Sequence, residues 1–188
     1  MWRYERVQSI KILSRWLSQN ANDQHYLFAL RDLRPLFPDL SESAFKTLLS
    51  RAGDSGLLHR VCRGVYLYKE AYGQDGLLLF HIASLLRADM FNYISLETVL
   101  SDAGIISQIP INLVTLMSSG RSNFISCGKF GSIEFIHTQQ KPLELMSQLT
   151  YDNSCGLWKA SVYLALRDMK MTRRNSDLID WNLANELI

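Results

Sequence analysis

The stretch SRAGDSGLLHRVCRGVYLY, Ser50–Tyr68, constrains the fold more than any other part of the chain. A helical pattern runs into it: Phe45, Leu48, Leu49 and Ala52 follow i, i+3, i+4, i+7 spacing, which lines one helical face with apolar side chains. Gly53 and Gly56 then bracket the helix end, where a left-handed backbone costs little only at glycine. LLHRV and VYLYK have the β-branched and aromatic content of strands, and CRG between them reads as a hairpin tip with Gly64 available for positive φ.

Upstream, Arg3–Ser18 places Val7, Ile10, Leu13 and Leu17 on one helical face, with Lys11 and Arg15 elsewhere on its surface. After the polar break QNANDQ, Tyr26–Phe28 is expected as a short strand and Ala29–Phe37 as a short helix, with Pro38 as its stop signal. Ser41 or Asp39 suits the N-cap of the next helix. Three helices followed by a basic hairpin predict a winged helix-turn-helix, whose third helix enters the major groove of DNA while the wing reaches flanking phosphates. On that geometry Ser43, Lys46, Thr47 and Ser50 face base edges or nearby phosphates, whereas Arg51, His59, Arg60 and Arg63 contact the backbone. The competing expectation is the same fold used for protein contacts, with those side chains merely solvated.

YKEAYGQDG, Tyr68–Gly76, reads as a linker, dividing the chain into residues 1–72 and 73–188. The second part opens with an apolar helix, Leu77–Arg87, and then a helix capped by Ser95 and ending at Gly104. INLVTLMSS and NFISC read as strands, GKFG as a turn and SIEFIHT as a returning strand in which Ile133, Phe135 and His137 alternate with Glu134 and Ile136. GLWKASVYLALRDMK and SDLIDWNLANELI close the chain as helices. The expected class is α+β: an N-terminal winged helix-turn-helix, then a mixed α/β domain with a β-hairpin and closing helices.

Composition limits the function. With 47% apolar and 20% charged residues the chain suits a globular protein. Residues 1–72 hold 11 Lys/Arg against 7 Asp/Glu, so the front of the chain is the basic part although the net charge is only +2. Cys62, Cys127 and Cys155 lie far apart without a CxxC, as reduced thiols would. The charged N-terminus does not read as a signal peptide, and GLLLFHIASLL is too short to span a membrane, which together predict a cytoplasmic protein. His25, His59, His81 and His137 are scattered, no phosphate-cradle or nucleophile-elbow motif occurs, and Asp177 and Asp180 suit capping better than catalysis. No enzyme, cofactor or metal is expected.

Four segments carry a resemblance to a known family. LLSRAGDSGLLHRVCRGVYLY, YISLETVLSDAGIISQIP, LVTLMSSGRSNFISCGKFGSIEFIH and ALRDMKMTRRNSDLID, in this order and spacing, resemble the AbiEi-type antitoxins of bacterial type IV toxin-antitoxin systems. The resemblance implies a winged helix that binds inverted repeats in double-stranded DNA upstream of its own operon and represses it. It also implies a second domain that counters a nucleotidyltransferase-like toxin without a stable complex. Carried over residue by residue, the DNA-binding set is Lys46, Arg51, Arg60 and Arg63, and the basic pair Arg173 and Arg174 is assigned to the DNA surface or to the antitoxin role. Gly131-Ser132 is followed by IEFIH and not by a carboxylate pair, which is antitoxin-like and not toxin-like. The alternatives are a stand-alone winged-helix regulator and an antitoxin that binds its toxin directly.

Overall fold

The computed structural model divides into two units, Met1–Asp75 and Gly76–Ile188. It describes residues 2–74, 76–106 and 112–187, without the side chains of 2–7. The Val7 side chain on the first helix, and residues 107–111, which include the first residue of INLVTLMSS, therefore lie outside what is described.

In the first unit α1 (Trp2–Asn20) is followed by β1 (Leu27–Ala29), α2 (Leu30–Leu33), a 3-10 turn (Arg34–Leu36), α3 (Glu42–Asp54), β2 (His59–Cys62) and β3 (Val65–Leu67). The three strands form an antiparallel sheet in the order β1-β3-β2. Leu13 and Leu17 of α1, Leu33 of α2 and Phe45, Leu48, Leu49 and Ala52 of α3 share one core with Phe28 and Leu58. Each large apolar side chain buried there contributes about 1.5–3 kcal/mol, which is what holds helices this short in place. The single helix expected over Ala29–Phe37 is interrupted, because Pro35 lacks an N–H and its ring excludes the regular hydrogen bond. Gly53 lies inside the last turn of α3, and Gly56 alone takes the left-handed conformation, φ +76°.

The hairpin turns at Arg63–Gly64, with Gly64 at φ +80°. Arg60 pairs with Tyr66 and Cys62 with Val65, so Val61 is the extra residue of a bulge. The tip is tied down, since the Leu30 N–H donates to the Gly64 carbonyl at 3.0 Å. The expected linker begins inside this unit. Tyr68 is buried, its N–H donates to the Tyr26 carbonyl at 2.9 Å, Lys69–Ala71 forms a helical turn, and the Tyr72 ring lies 5.0 Å from that of Tyr26. The Tyr68 hydroxyl donates to Glu70, and that bond, with burial, pushes its pKa up to about 12.

The second unit contains α4 (Leu78–Leu86), β4 (Asn92–Ile94), α5 (Glu97–Asp102), β5 (Leu113–Ser118), β6 (Asn123–Ser126), β7 (Ser132–His137), α6 (Pro142–Leu145), β8 (Leu149–Asp152), β9 (Leu157–Ala160), α7 (Val162–Met171) and α8 (Trp181–Glu186). Its six strands form one mixed sheet, β6-β7-β5-β4-β9-β8, in which β5/β7 and β4/β9 are parallel. The chain is thus α+β, with N-terminal helices on a small antiparallel sheet and then a mixed six-stranded sheet with helices.

Two expectations fail here. The segment GLWKASVYLALRDMK is not one helix: Leu157–Ala160 pairs with strands on both sides, and Ser161 then caps α7 by accepting from the Leu164 N–H. Pairing with distant strands overrides the local helical pattern. Ser95 is not an N-cap either. Leu96 holds that position at φ +59°, while the fully buried Ser95 hydroxyl donates to Asp168 Oδ2 at 2.7 Å. A buried carboxylate is the stronger acceptor and orders the hydroxyl inward.

Candidate nucleic-acid interface

α3 is fixed from both ends. Ser41 caps it, its hydroxyl accepting from the Ala44 N–H at 3.3 Å, and Glu42 in the first turn complements the helix dipole. Arg34 holds the preceding turn: its guanidinium donates to the carbonyls of Phe37 and Leu40, the latter at 2.8 Å, and its carbon sits 5.3 Å from the Phe45 ring centroid. At the other end the Leu58 N–H donates to the Ala52 carbonyl at 3.1 Å and leads the chain into β2.

With the apolar stripe inward, Ser43, Lys46, Thr47 and Ser50 are all exposed. Their spacing i, i+3, i+4, i+7 makes them one continuous strip of small polar and basic groups. Three of them are partly engaged, Ser43 by its Oγ lying 3.1 Å from Ser41 Oγ. Thr47 Oγ1 donates to the Ser43 carbonyl at 2.9 Å, and Lys46 Nζ stands 3.7 Å from Glu42 Oε1. Both partners of that ion pair are about two-thirds exposed, so water and salt weaken it and Lys46 can exchange Glu42 for another anion.

Arg51 is half-buried in the last turn of α3, where its charge suits the helix dipole, and His59 is half-buried at the start of β2. Arg60 and Arg63 are exposed on the hairpin. Arg60 Nε reaches the Cys62 carbonyl at 3.4 Å, whereas the Arg63 side chain at the tip has no partner among the described residues. The helix strip and the hairpin cations follow one another along the chain within the first unit. Arg34 and Glu42 were not singled out from the sequence; the i, i+4 spacing of Glu42 to Lys46 was a readable signal, but nothing local marks Arg34 as a turn clamp.

The basic pair of the closing segment is split. Arg173 is exposed, at φ +54°, just beyond α7. Arg174 is half-buried between two carboxylates, 3.0 Å from Glu97 and 2.7 Å from Glu134, and these pairs hold its pKa above the usual guanidinium value against the opposing effect of burial. Arg174 is thus engaged by two acids while Arg173 is exposed, so the two members of the basic pair stand in different surroundings.

The second unit instead concentrates polar groups inside. Asp168, fully buried on α7, accepts from Ser95 and, at 3.2 Å, from Gln140 Nε2; Arg167 donates to Gln140 Oε1. Burial raises the Asp168 pKa and outweighs the bonds from Ser95, Tyr93 and Gln140, which favour its charged form. Tyr93 is pushed upward by its own burial and by the Asp168 charge. His81 bonds the Ser154 carbonyl at 2.7 Å, and Asp180 caps α8 through the Asn182 and Leu183 N–H groups.

Among the described residues Cys62, Cys127 and Cys155 are buried and form no disulfide, no group of three His, Cys, Asp or Glu side chains could hold a metal, and no helix is long and apolar enough to cross a membrane. No protein-family model matches the chain, and no curated protein matches it significantly.

Proposed function

We propose that this chain is a DNA-binding transcriptional repressor whose first unit works as a winged helix-turn-helix, and whose second unit serves as the antitoxin partner of a nucleotidyltransferase-like toxin. The observation that supports the DNA reading best is the division of α3: Phe45, Leu48, Leu49 and Ala52 are all buried, and Ser43, Lys46, Thr47 and Ser50 form an exposed strip that runs toward a hairpin with exposed Arg60 and Arg63. The element order adds support, because helix, strand, two helices and a hairpin, with the first strand paired to the last, is the winged-helix arrangement.

Each group then has a task. Ser43, Thr47 and Ser50 are short enough to let α3 lie deep in a major groove, where hydroxyls donate to or accept from base edges. Lys46 leaves Glu42 for a base or phosphate. Arg60 and Arg63 neutralise phosphates beside the groove, releasing counterions and making binding salt-dependent. Selection of bound duplexes from a random pool by the purified chain tests this reading: a recovered consensus, related to sequence upstream of the gene, is expected. Recovery of random duplexes alone would overturn sequence-specific recognition.

The antitoxin half rests on the four segments that resemble the AbiEi type. Co-expression of the full chain with the adjacent toxin gene tests it, with restored growth expected and without the two proteins co-purifying. Unrelieved toxicity would leave a stand-alone regulator, and a stable complex would favour direct binding.

A further inference from the structure

Arg87 follows α4 and is only 9% exposed. Its guanidinium carbon lies 3.9 Å from the Phe135 ring centroid, and Nη2 donates to the Arg121 carbonyl at 2.5 Å. Nη1 is buried with no hydrogen-bond partner, and no carboxylate forms an ion pair with Arg87 among the described residues. Glu134 of β7 is committed to Arg174. An aromatic face offsets part of the cost of burying a cation, but such charges ordinarily find an anion as well.

The unpartnered nitrogen faces the loop Ser119–Ser122 between β5 and β6. A Cβ added at Gly120 would lie 3.1 Å from Arg87 Nη1 and 2.5 Å from Met90 Sδ, so the loop covers Arg87 closely only because residue 120 has no side chain. The loop is held from several sides. The Ser119 N–H donates to the Phe91 carbonyl at 2.9 Å, the Gly120 N–H donates to Ser118 Oγ at 3.1 Å, and Ser118 in turn donates to Asn92 Oδ1 at 2.6 Å. His137 Nδ1 lies 3.0 Å from the Gly120 carbonyl, to which it is the donor, and the His137 N–H donates to Ser122 Oγ at 2.9 Å. Outward, Ser119, Arg121, Ser122 and His137 are exposed. A glycine loop held from several sides, with an exposed arginine and two exposed serines, thus covers a buried guanidinium that has no ion-pair partner among the described residues.

We propose that the loop Ser119–Ser122 binds a phosphate group, held by Arg121 and the loop hydroxyls, with Arg87 beneath Gly120 as the buried counter-charge. This site lies in the second unit and is independent of the DNA reading of the first. The phosphate could belong to a mononucleotide or to a nucleic-acid backbone, which share the same chemistry.

Titration calorimetry and thermal unfolding of the full chain with inorganic phosphate, at constant ionic strength against chloride, test the site. Saturable binding is expected, with an unfolding temperature that rises by mass action. Arg87→Met should weaken it about tenfold or more, because the buried counter-charge acting through poorly screened surroundings is lost, and Arg121→Ala should also weaken it while leaving the fold intact. If Arg87→Met fails to fold, Arg121→Ala decides the matter alone. Competition with adenosine monophosphate and with a short DNA duplex then identifies the source by whichever displaces phosphate at lower concentration. No saturable response beyond chloride, or binding unchanged in Arg121→Ala, would overturn the proposal.

Discussion

In the first unit Lys46, Arg60 and Arg63 stand in solvent with weak partners or none, whereas in the second Asp168, Arg167 and Arg174 are drawn inward and bound by named groups. The same residue types are solvated in one place and structural in the other. Exposed cations cost the fold little and remain available to an external anion. Buried polar groups hold elements together, and removing one partner leaves the other unsatisfied.

The largest expected effect is on the buried side. Asp168→Ala should lower stability by about 3 kcal/mol or more, because Ser95 and Gln140 lose their acceptor; urea unfolding checks this, and Arg63→Ala should change stability by less than about 0.5 kcal/mol. Equal effects of the two would erase the contrast. Asp168 also predicts a pH signature. Its native pKa is raised above the ordinary 3.8, so the native state holds that proton more tightly than the unfolded state. The stabilisation is fully present below 3.8 and is lost as pH rises through the native value. Wild type should therefore lose stability relative to Asp168→Asn as pH increases across that window, measured by urea midpoints; a constant difference would contradict the assignment.

Arg174→Met comes next. It removes the pairs to Glu97 and Glu134 and should cost about 1–3 kcal/mol of stability, yet leave DNA affinity unchanged. Reduced DNA affinity without loss of stability would return Arg174 to the DNA surface. On the exposed side, Lys46→Ala or Thr47→Ala should alter which duplex is preferred, by about 1–3 kcal/mol per lost base contact, with unfolding unaffected; anisotropy against single-base operator variants measures it. The smallest effect is expected from Glu42→Gln. Freeing Lys46 from an exposed pair worth about 0.2–1 kcal/mol should tighten DNA binding slightly and without sequence preference, and weaker binding would mean that Glu42 positions Lys46 for DNA.

The contrast also marks what the sequence reveals. The stripe Phe45, Leu48, Leu49 and Ala52, the Ser41 cap and the left-handed Gly64 depend on residues within one or two turns of each other, and spacing alone exposes them. β9 pairs with the neighbouring β8 but also with the distant β4, so Leu157–Ala160 looks helical until both pair with it. Burial of charge is hidden for the same reason: the acceptors of Arg174 come from α5 and β7. Asp168 did leave a trace, since it stands on α7 at the i+4 position from Leu164, inside the stripe formed with Ala165 and Met169. A carboxylate within an apolar stripe is a readable sign of a buried network. In the first unit, the exposed strip of α3 is legible residue by residue, whereas the clamp of Arg34 on the turn before it is not.

The most direct test of DNA recognition by the first unit is the salt dependence of binding to DNA from immediately upstream of the gene, for wild type and for the double variant Arg60→Ala/Arg63→Ala. Specific binding is expected, with a logarithmic slope that falls by roughly 0.9 for each phosphate contact removed and an unchanged preferred sequence. Full-affinity binding with an unaltered slope in the double variant, or no specific binding by the folded wild-type protein, would contradict it.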